Sequence, residues 1–113
     1  MIKDLFSLEH KTAVVTGGSG YLGSVISEVL AQAGAKVFIT GRNEEKCISL
    51  AKDIHEKYRA DCIGMYMDVS NSESIKCCFD QIYRKTQGID VLVNNACYGK
   101  SGLVEEMSEE EWE

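Results

Sequence analysis

The sequence predicts an α/β fold with a doubly wound parallel sheet, and three observations support that prediction. Short apolar runs alternate with longer segments whose apolar residues recur at helical spacing, in the order βαβαβαβ. The fourth run, Ile89 to Val93, is apolar nearly throughout, which is typical of a strand covered by helices on both faces. A glycine-rich turn joins the first run to the first helical segment. The chain of 113 residues has room for one domain with one core.

The first strand is predicted at Thr12 to Thr16, and the first helix at Leu22 to Ala33. Gly34 can adopt the left-handed conformation that often ends a helix, and a second strand follows at Lys36 to Thr40. The inward face of this helix is predicted from its apolar residues, Leu22, Val25, Ile26, Val29, Leu30 and Ala33.

The second helix is predicted to begin after Asn43, whose side chain can cap it, and to precede a third strand at Cys62 to Met67. Ser70 and Glu73 form a candidate capping box for the third helix. The inward stripe of the second helix is Cys47, Leu50, Ala51, Ile54 and Tyr58. The stripe of the third helix is Ile75, Cys78, Phe79, Ile82 and Tyr83.

Gly88 is predicted to end the third helix, and Ile89 to Val93 form the fourth strand. A loop then leads to Ser108 and Glu111, a capping box at the start of a further helix. Because almost no helix follows that start, we expect the chain to be a fragment of a longer domain.

The turn from Thr16 to Gly23 carries the strongest functional signal. Gly17 permits a tight reversal, Gly20 lets the backbone approach a pyrophosphate, and Gly23 lets the helix pack closely on the strand. Free N–H groups at the helix start attract an anion. An ordinary glycine-rich turn between a strand and a helix is the structural alternative. The strand, turn, helix and strand context favours a Rossmann-type dinucleotide site.

Composition excludes several other classes of protein. Apolar residues at 44% and charged residues at 27% are ordinary for a soluble domain, and the net charge of −6 argues against nucleic acid or an anionic membrane as partner. No apolar run is long enough to span a bilayer, and the residues after Met1 lack the apolar core of a secretory signal, so we expect a cytoplasmic protein. The five cysteines have no zinc-ligand spacing, so no metal site is predicted.

Four stretches in order make the chain resemble the N-terminal half of the classical short-chain dehydrogenases/reductases. They are Lys11 to Gly18, Asp68-Val69, Val93 to Ala96, and the Glu-rich run before Trp112. Two residues depart from the classical pattern: Tyr21 stands where the second glycine is usual, and Cys97 where a glycine usually closes the last motif. The glycine spacing is similar to that of the extended epimerases and dehydratases, which remain an alternative.

The resemblance implies a Rossmann domain that binds NAD(P)(H). It implies that Asp68 accepts a hydrogen bond from the adenine amino group beside Val69, that Asn95 lines the groove near the nicotinamide ribose, and that Asn94 ties the sheet together. A turn-forming Asp68 and loop-forming asparagines are the structural alternatives. The pyrophosphate and its ribose would contact Gly17, Ser19, Gly20, Tyr21, Leu22 and Gly23.

The family's catalytic serine and Tyr-x-x-x-Lys pair cannot be assigned, since no tyrosine here has a lysine four places on. We therefore expect residues 1–113 to be the N-terminal part of one NAD(P)-binding domain whose catalytic half is absent. The resemblance implies an alcohol or carbonyl substrate and a homo-oligomeric parent protein. A freestanding nucleotide-binding or regulatory module without catalysis is the competing class.

The end of the second strand predicts the preferred cofactor. NAD-selective Rossmann domains usually place a carboxylate there to bind the ribose 2′-hydroxyl, but this chain has Gly41 followed by Arg42. A guanidinium is suited to bind a phosphate, so the predicted cofactor is NADP(H) and NAD(H) is disfavoured. A solvated arginine before a helix is the alternative.

Overall fold

The computed structural model describes residues 5–96, which form a parallel sheet with helices on both faces. The strands lie in the order β3-β2-β1-β4, so the predicted doubly wound α/β architecture is confirmed. The predicted helix start at Ser108 lies outside the described residues. The elements are β1 Thr12–Thr16, α1 Tyr21–Gln32, β2 Lys36–Gly41, α2 Glu44–Tyr58, β3 Cys62–Tyr66, α3 Ser72–Thr86 and β4 Val91–Val93.

β1 occupies the centre of this sheet, paired in parallel with β2 on one side and β4 on the other. Alternate side chains of β1 point to opposite faces: Ala13 and Val15 pack under α1 and α2, whereas Val14 packs under α3 with Phe38 of β2. All four of these residues are fully buried. The connections through α1 and α2 cross one face of the sheet, and the connection through α3 crosses the other. Because all four strands are parallel, their carboxyl ends lie at one edge of the sheet.

The buried face of α1 differs from the predicted one. Gly23, Ser27 and Ala31 are buried against the sheet, whereas Leu22, Val25 and Val29 are 59%, 53% and 55% exposed. The hydropathy pattern pointed to the large apolar residues, but the helix lies so close to β1 that only small side chains fit between them. Ile26 and Leu30 pack at the border of this contact, as predicted.

The predicted stripes of α2 and α3 are mostly confirmed. Cys47, Ala51 and Ile54 of α2 are buried, with Leu50 and Tyr58 partly buried beside them. On α3, Cys78 and Ile82 are buried and Ile75 and Phe79 partly so, but Tyr83 is 54% exposed and is not a core residue.

The helix ends are decided by local contacts, and two predicted ends are wrong by one residue. Asn43 caps α2 as predicted, its Oδ1 accepting from Lys46 N at 3.1 Å. The cap of α3 is Asn71 and not Ser70, since Asn71 Oδ1 accepts from two first-turn N–H groups. The left-handed residue after α3 is Gln87 at φ 63° and not Gly88, whereas Gly34 has the expected positive φ of 104°.

Two strands are shorter than predicted, and β4 is less buried. β3 ends at Tyr66, and β4 begins at Val91 because Ile89 and Asp90 belong to the connection. Leu92 is 49% exposed, so helices do not cover both faces of β4 within residues 5–96.

Candidate cofactor groove

A groove of about 550 Å³ opens at the carboxyl edge of the sheet, where the turns after β1, β2, β3 and β4 meet. Most of the predicted site residues line it, and Tyr21 and Gly23 do not. Tyr21 is 95% exposed, and Gly23 lies beneath the turn. The lining residues are Gly17, Ser19, Gly20, Leu22, Gly41, Arg42, Asn43, Lys46, Met67, Asp68, Val69, Asn95 and Ala96.

The glycines of the turn between β1 and α1 are required for different reasons. Gly17 has a φ of +61°, which favours glycine. A Cβ on Gly18 would lie 2.7 Å from Ile39 Cγ2, and a Cβ on Gly23 would collide with the carbonyl oxygen of Gly17. Gly20 is different, because a Cβ there would meet only Gly17 O at 3.4 Å, an ordinary contact. The described protein therefore has no steric need for glycine at position 20, and the space beside Gly20 is open to a ligand.

The start of α1 is suited to an anion. Gly20 is the N-cap residue, and no side chain caps the helix start. The first-turn N–H groups of α1 therefore stand uncapped at the groove, where their partial positive charge favours a bound phosphate.

The turn after β4 is bound to the turn after β1 through Thr16 and Asn95. Thr16 Oγ1 accepts from Asn95 N and Ala96 N, each at 3.0 Å, and donates to Val93 O at 3.3 Å. Asn95 Nδ2 donates to Gly17 O at 3.1 Å. The role that the resemblance gave to Asn94 thus belongs to Asn95, because Asn94 is exposed and Asn95 faces the glycine turn.

Asp68 makes the hydrogen bonds of a turn-forming residue, which was the structural alternative to a cofactor contact, and it also lines the groove. Its Oδ1 accepts from Ser70 Oγ at 2.6 Å and Ser70 N at 3.0 Å. These two bonds, with a smaller contribution from the charge of Arg42, lower the pKa of the Asp68 carboxyl. Asp68 is therefore a carboxylate near neutral pH and can accept further hydrogen bonds.

The residue after β2 and the first turn of α2 supply the cations of the groove. Gly41 is followed by Arg42, and Lys46 stands one helical turn later on α2. A Cβ on Gly41 would lie 3.2 Å from Cys47 Sγ and 3.6 Å from Ser19 Oγ, so a carboxylate side chain there would be crowded. Burial raises the pKa of the Cys47 thiol, so this neighbour is neutral.

Sequence reasoning identified Arg42 but missed Asn43, Lys46, Met67 and Ala96 as lining residues. Arg42 precedes α2 and Lys46 lies in its first turn, so no helical spacing relates the two residues, and the folded structure brings both to the groove. Within residues 5–96, no group of three metal-ligating side chains lies together, and no helix is long and apolar enough to cross a membrane.

Known proteins are similar to this chain in sequence and in fold. A family model described as short chain dehydrogenase matches residues 11–113. The 3-oxoacyl-(acyl-carrier-protein) reductase FabG of Aquifex aeolicus is 40% identical over 106 residues, which cover 94% of this chain and 43% of the relative. The chain therefore spans less than half the length of this curated relative.

Two solved structures with bound dinucleotide are similar to the chain. One is the Pseudomonas aeruginosa RhlG/NADP active-site complex, with a TM-score of 0.77 and 35% identity, covering 83% of this chain and 37% of that one. The other is L-sorbose reductase from Gluconobacter frateurii complexed with NADPH and L-sorbose, with a TM-score of 0.83 and 28% identity, covering 95% and 41%. Together with the family match, these likenesses identify the chain as a member of the short chain dehydrogenase family.

Proposed function

We propose that this chain holds the adenosine and pyrophosphate of NADP(H) in an oxidoreductase that transfers hydride between the nicotinamide and an alcohol or carbonyl substrate. The observation that supports this proposal most directly is the end of β2, where Arg42 lines the groove and Gly41 leaves no carboxylate for a ribose 2′-hydroxyl. RhlG and L-sorbose reductase, which share the fold, were solved with NADP and NADPH respectively.

The groove residues fit such a cofactor. The open space beside Gly20 and the uncapped first turn of α1 suit the pyrophosphate. Asp68 remains ionised and could accept from the adenine amino group, with Val69 beside the ring, and Asn95 would line the groove near the nicotinamide ribose. When bound, the nicotinamide supplies or accepts the hydride. Arg42 would bind the 2′-phosphate through charge-assisted hydrogen bonds.

Hydride transfer is accompanied by a proton, and the family's Tyr-x-x-x-Lys proton donor cannot be assigned within residues 1–113. No tyrosine in residues 1–113 has a lysine four places on. We therefore assign residues 1–113 to the N-terminal part of a single NAD(P)-binding domain, with the proton donor supplied by the additional length that the relatives have.

We further propose that the protein forms a homo-oligomer and is located in the cytoplasm. Cys47, Cys62, Cys77 and Cys78 are all free thiols in the described part of the chain, which agrees with a reducing compartment.

Titration of the intact protein with NADPH and NADH tests the cofactor assignment. A charge-assisted hydrogen bond contributes about 1.5–3 kcal/mol, so Arg42 should favour NADPH by about 10- to 100-fold, and Arg42→Ala should remove most of that preference. Arg84→Ala, an exposed arginine on α3 away from the groove, is the matched control and should leave both affinities unchanged. Equal affinities for NADPH and NADH in the parent protein would contradict the assignment.

A further inference from the structure

We propose that Lys46 is a second cation that selects the cofactor 2′-phosphate, acting with Arg42. This inference rests on the proposed NADP(H) function and adds to it a specificity-determining residue on α2. The two side chains belong to different elements, since Arg42 precedes α2 and Lys46 completes its first turn. Both line the groove beside Ser19 and Gly41.

The position of Lys46 is held by the cap of α2. Its backbone N–H donates to Asn43 Oδ1 at 3.1 Å, and the next N–H, that of Cys47, donates to Asn43 O at 3.1 Å. Cys47 is fully buried and anchors this turn to the core. The main chain that carries Lys46 is therefore fixed at the groove, while its side chain is exposed and free to reach a ligand.

The charge of Lys46 is not neutralised by neighbouring carboxylates in the described part of the chain. Within residues 5–96, neither Lys46 nor Arg42 has a carboxylate oxygen within ion-pair distance, although Lys36 and Lys57 both do. Glu44 and Glu45 share the first turn with Lys46, but neither lines the groove. Asp68 is the one carboxylate among the lining residues, and its Oδ1 is engaged by Ser70.

A dianion fits this arrangement better than a neutral hydroxyl. A phosphate monoester carries between about 1.5 and 2 negative charges at pH 7, so one guanidinium leaves a part of its charge unpaired. An ammonium on a flexible stem can complete the pairing without the fixed geometry that a guanidinium needs. The ribose 2′-hydroxyl of NADH has no charge to pair, so Lys46 should discriminate between the two cofactors.

Binding of NADPH, NADH and 2′-phospho-AMP to the intact Lys46→Gln variant tests this role. We expect NADPH and 2′-phospho-AMP to bind about 10-fold more weakly, with NADH changed less than about 2-fold, and the loss to shrink as salt rises. Lys46→Arg should retain the preference. Lys52→Gln, on the exposed side of the same helix and outside the groove, is the matched control and should bind all three ligands as the parent does.

The outcomes separate this inference from the function on which it rests. If the parent prefers NADPH and Lys46→Gln keeps the same NADPH-to-NADH affinity ratio, the role of Lys46 is refuted and the proposed function stands. If the parent shows no preference for NADPH, both fail. If Lys52→Gln weakens NADPH as much as Lys46→Gln does, the effect comes from α2 as a whole, and the specific role is refuted.

Discussion

At the scale of single residues, the groove depends on polar contacts between segments far apart in the chain. Asn95 and Gly17 are separated by 78 residues, yet Asn95 Nδ2 lies 3.1 Å from Gly17 O. Thr16 adds a hydroxyl that binds the turn after β4 through two N–H groups. Because the first and fourth strands are neighbours, these bonds hold the two turns that form one wall of the groove.

Replacing Asn95 with alanine should loosen this wall. The variant loses the bond from Asn95 Nδ2 to Gly17 O, which still accepts from Gly20 N, at a cost of about 0.5–1.5 kcal/mol in the free energy of unfolding. Chemical denaturation of Asn95→Ala and Asn94→Ala compares the two neighbours. Asn94 is exposed, so its variant should unfold within about 0.5 kcal/mol of the parent. Equal losses in the two variants would mean that Asn95 has no special structural role.

At the scale of elements, the close approach of α1 to β1 determines both the core and the site. Small residues face the sheet along α1, and Ser27 Oγ donates to Gly18 O at 3.5 Å within this contact. The helix thereby brings its uncapped N-terminus to the glycine turn. A strand and a helix that stood further apart would accommodate larger side chains but would move those N–H groups away from the groove.

Alanine substitutions at Gly23 and Gly20 should separate packing from binding. A Cβ at Gly23 collides with Gly17 O, so Gly23→Ala should lower the free energy of unfolding by more than about 2 kcal/mol. A Cβ at Gly20 makes only an ordinary contact, so Gly20→Ala should keep the parent stability but bind NADPH about 10-fold more weakly, because it occupies space meant for the ligand. Thermal melts and NADPH titrations measure the two effects. A Gly20→Ala variant with unchanged NADPH affinity would argue against pyrophosphate binding beside Gly20.

At the scale of the whole molecule, apolar side chains are exposed on α1 and, on the opposite face of the sheet, on β4. Leu22, Val25 and Val29 form a stripe on α1, each more than half exposed, and Leu92 of β4 is 49% exposed. Within residues 5–96, β4 pairs with β1 and with no second strand. An unpaired apolar strand edge and an apolar helix face each favour association with other chains.

The chain of residues 1–113 expressed alone should therefore self-associate. Light scattering over a range of concentrations should show a mass above that of the monomer, and Val25→Lys should shift the distribution towards monomer by placing a charge in the stripe. Ile48→Lys is the control, since Ile48 is equally exposed on α2 outside the stripe. A monodisperse monomer at high concentration would contradict this prediction.

The sequence by itself determined the features that depend on short-range chemistry. The alternation of strands and helices, the Asn43 cap and the left-handed Gly34 follow from hydropathy and from residues next to one another in the chain. The glycine turn and Arg42 were recognisable because their chemistry is local. The family match agrees with the resemblance, which rests on the glycine turn and three further stretches.

Only the tertiary structure decided which side of α1 is buried and which distant segments meet. The buried side of α1 could not be inferred from hydropathy, because Gly23, Ser27 and Ala31 are selected by the small distance between helix and sheet. The bond from Asn95 to Gly17 and the convergence of Lys46 with Arg42 in one groove depend on how distant elements pack. Hydropathy reports how much each side chain favours burial, whereas packing distance and long-range contacts exist only once the sheet has brought the segments together.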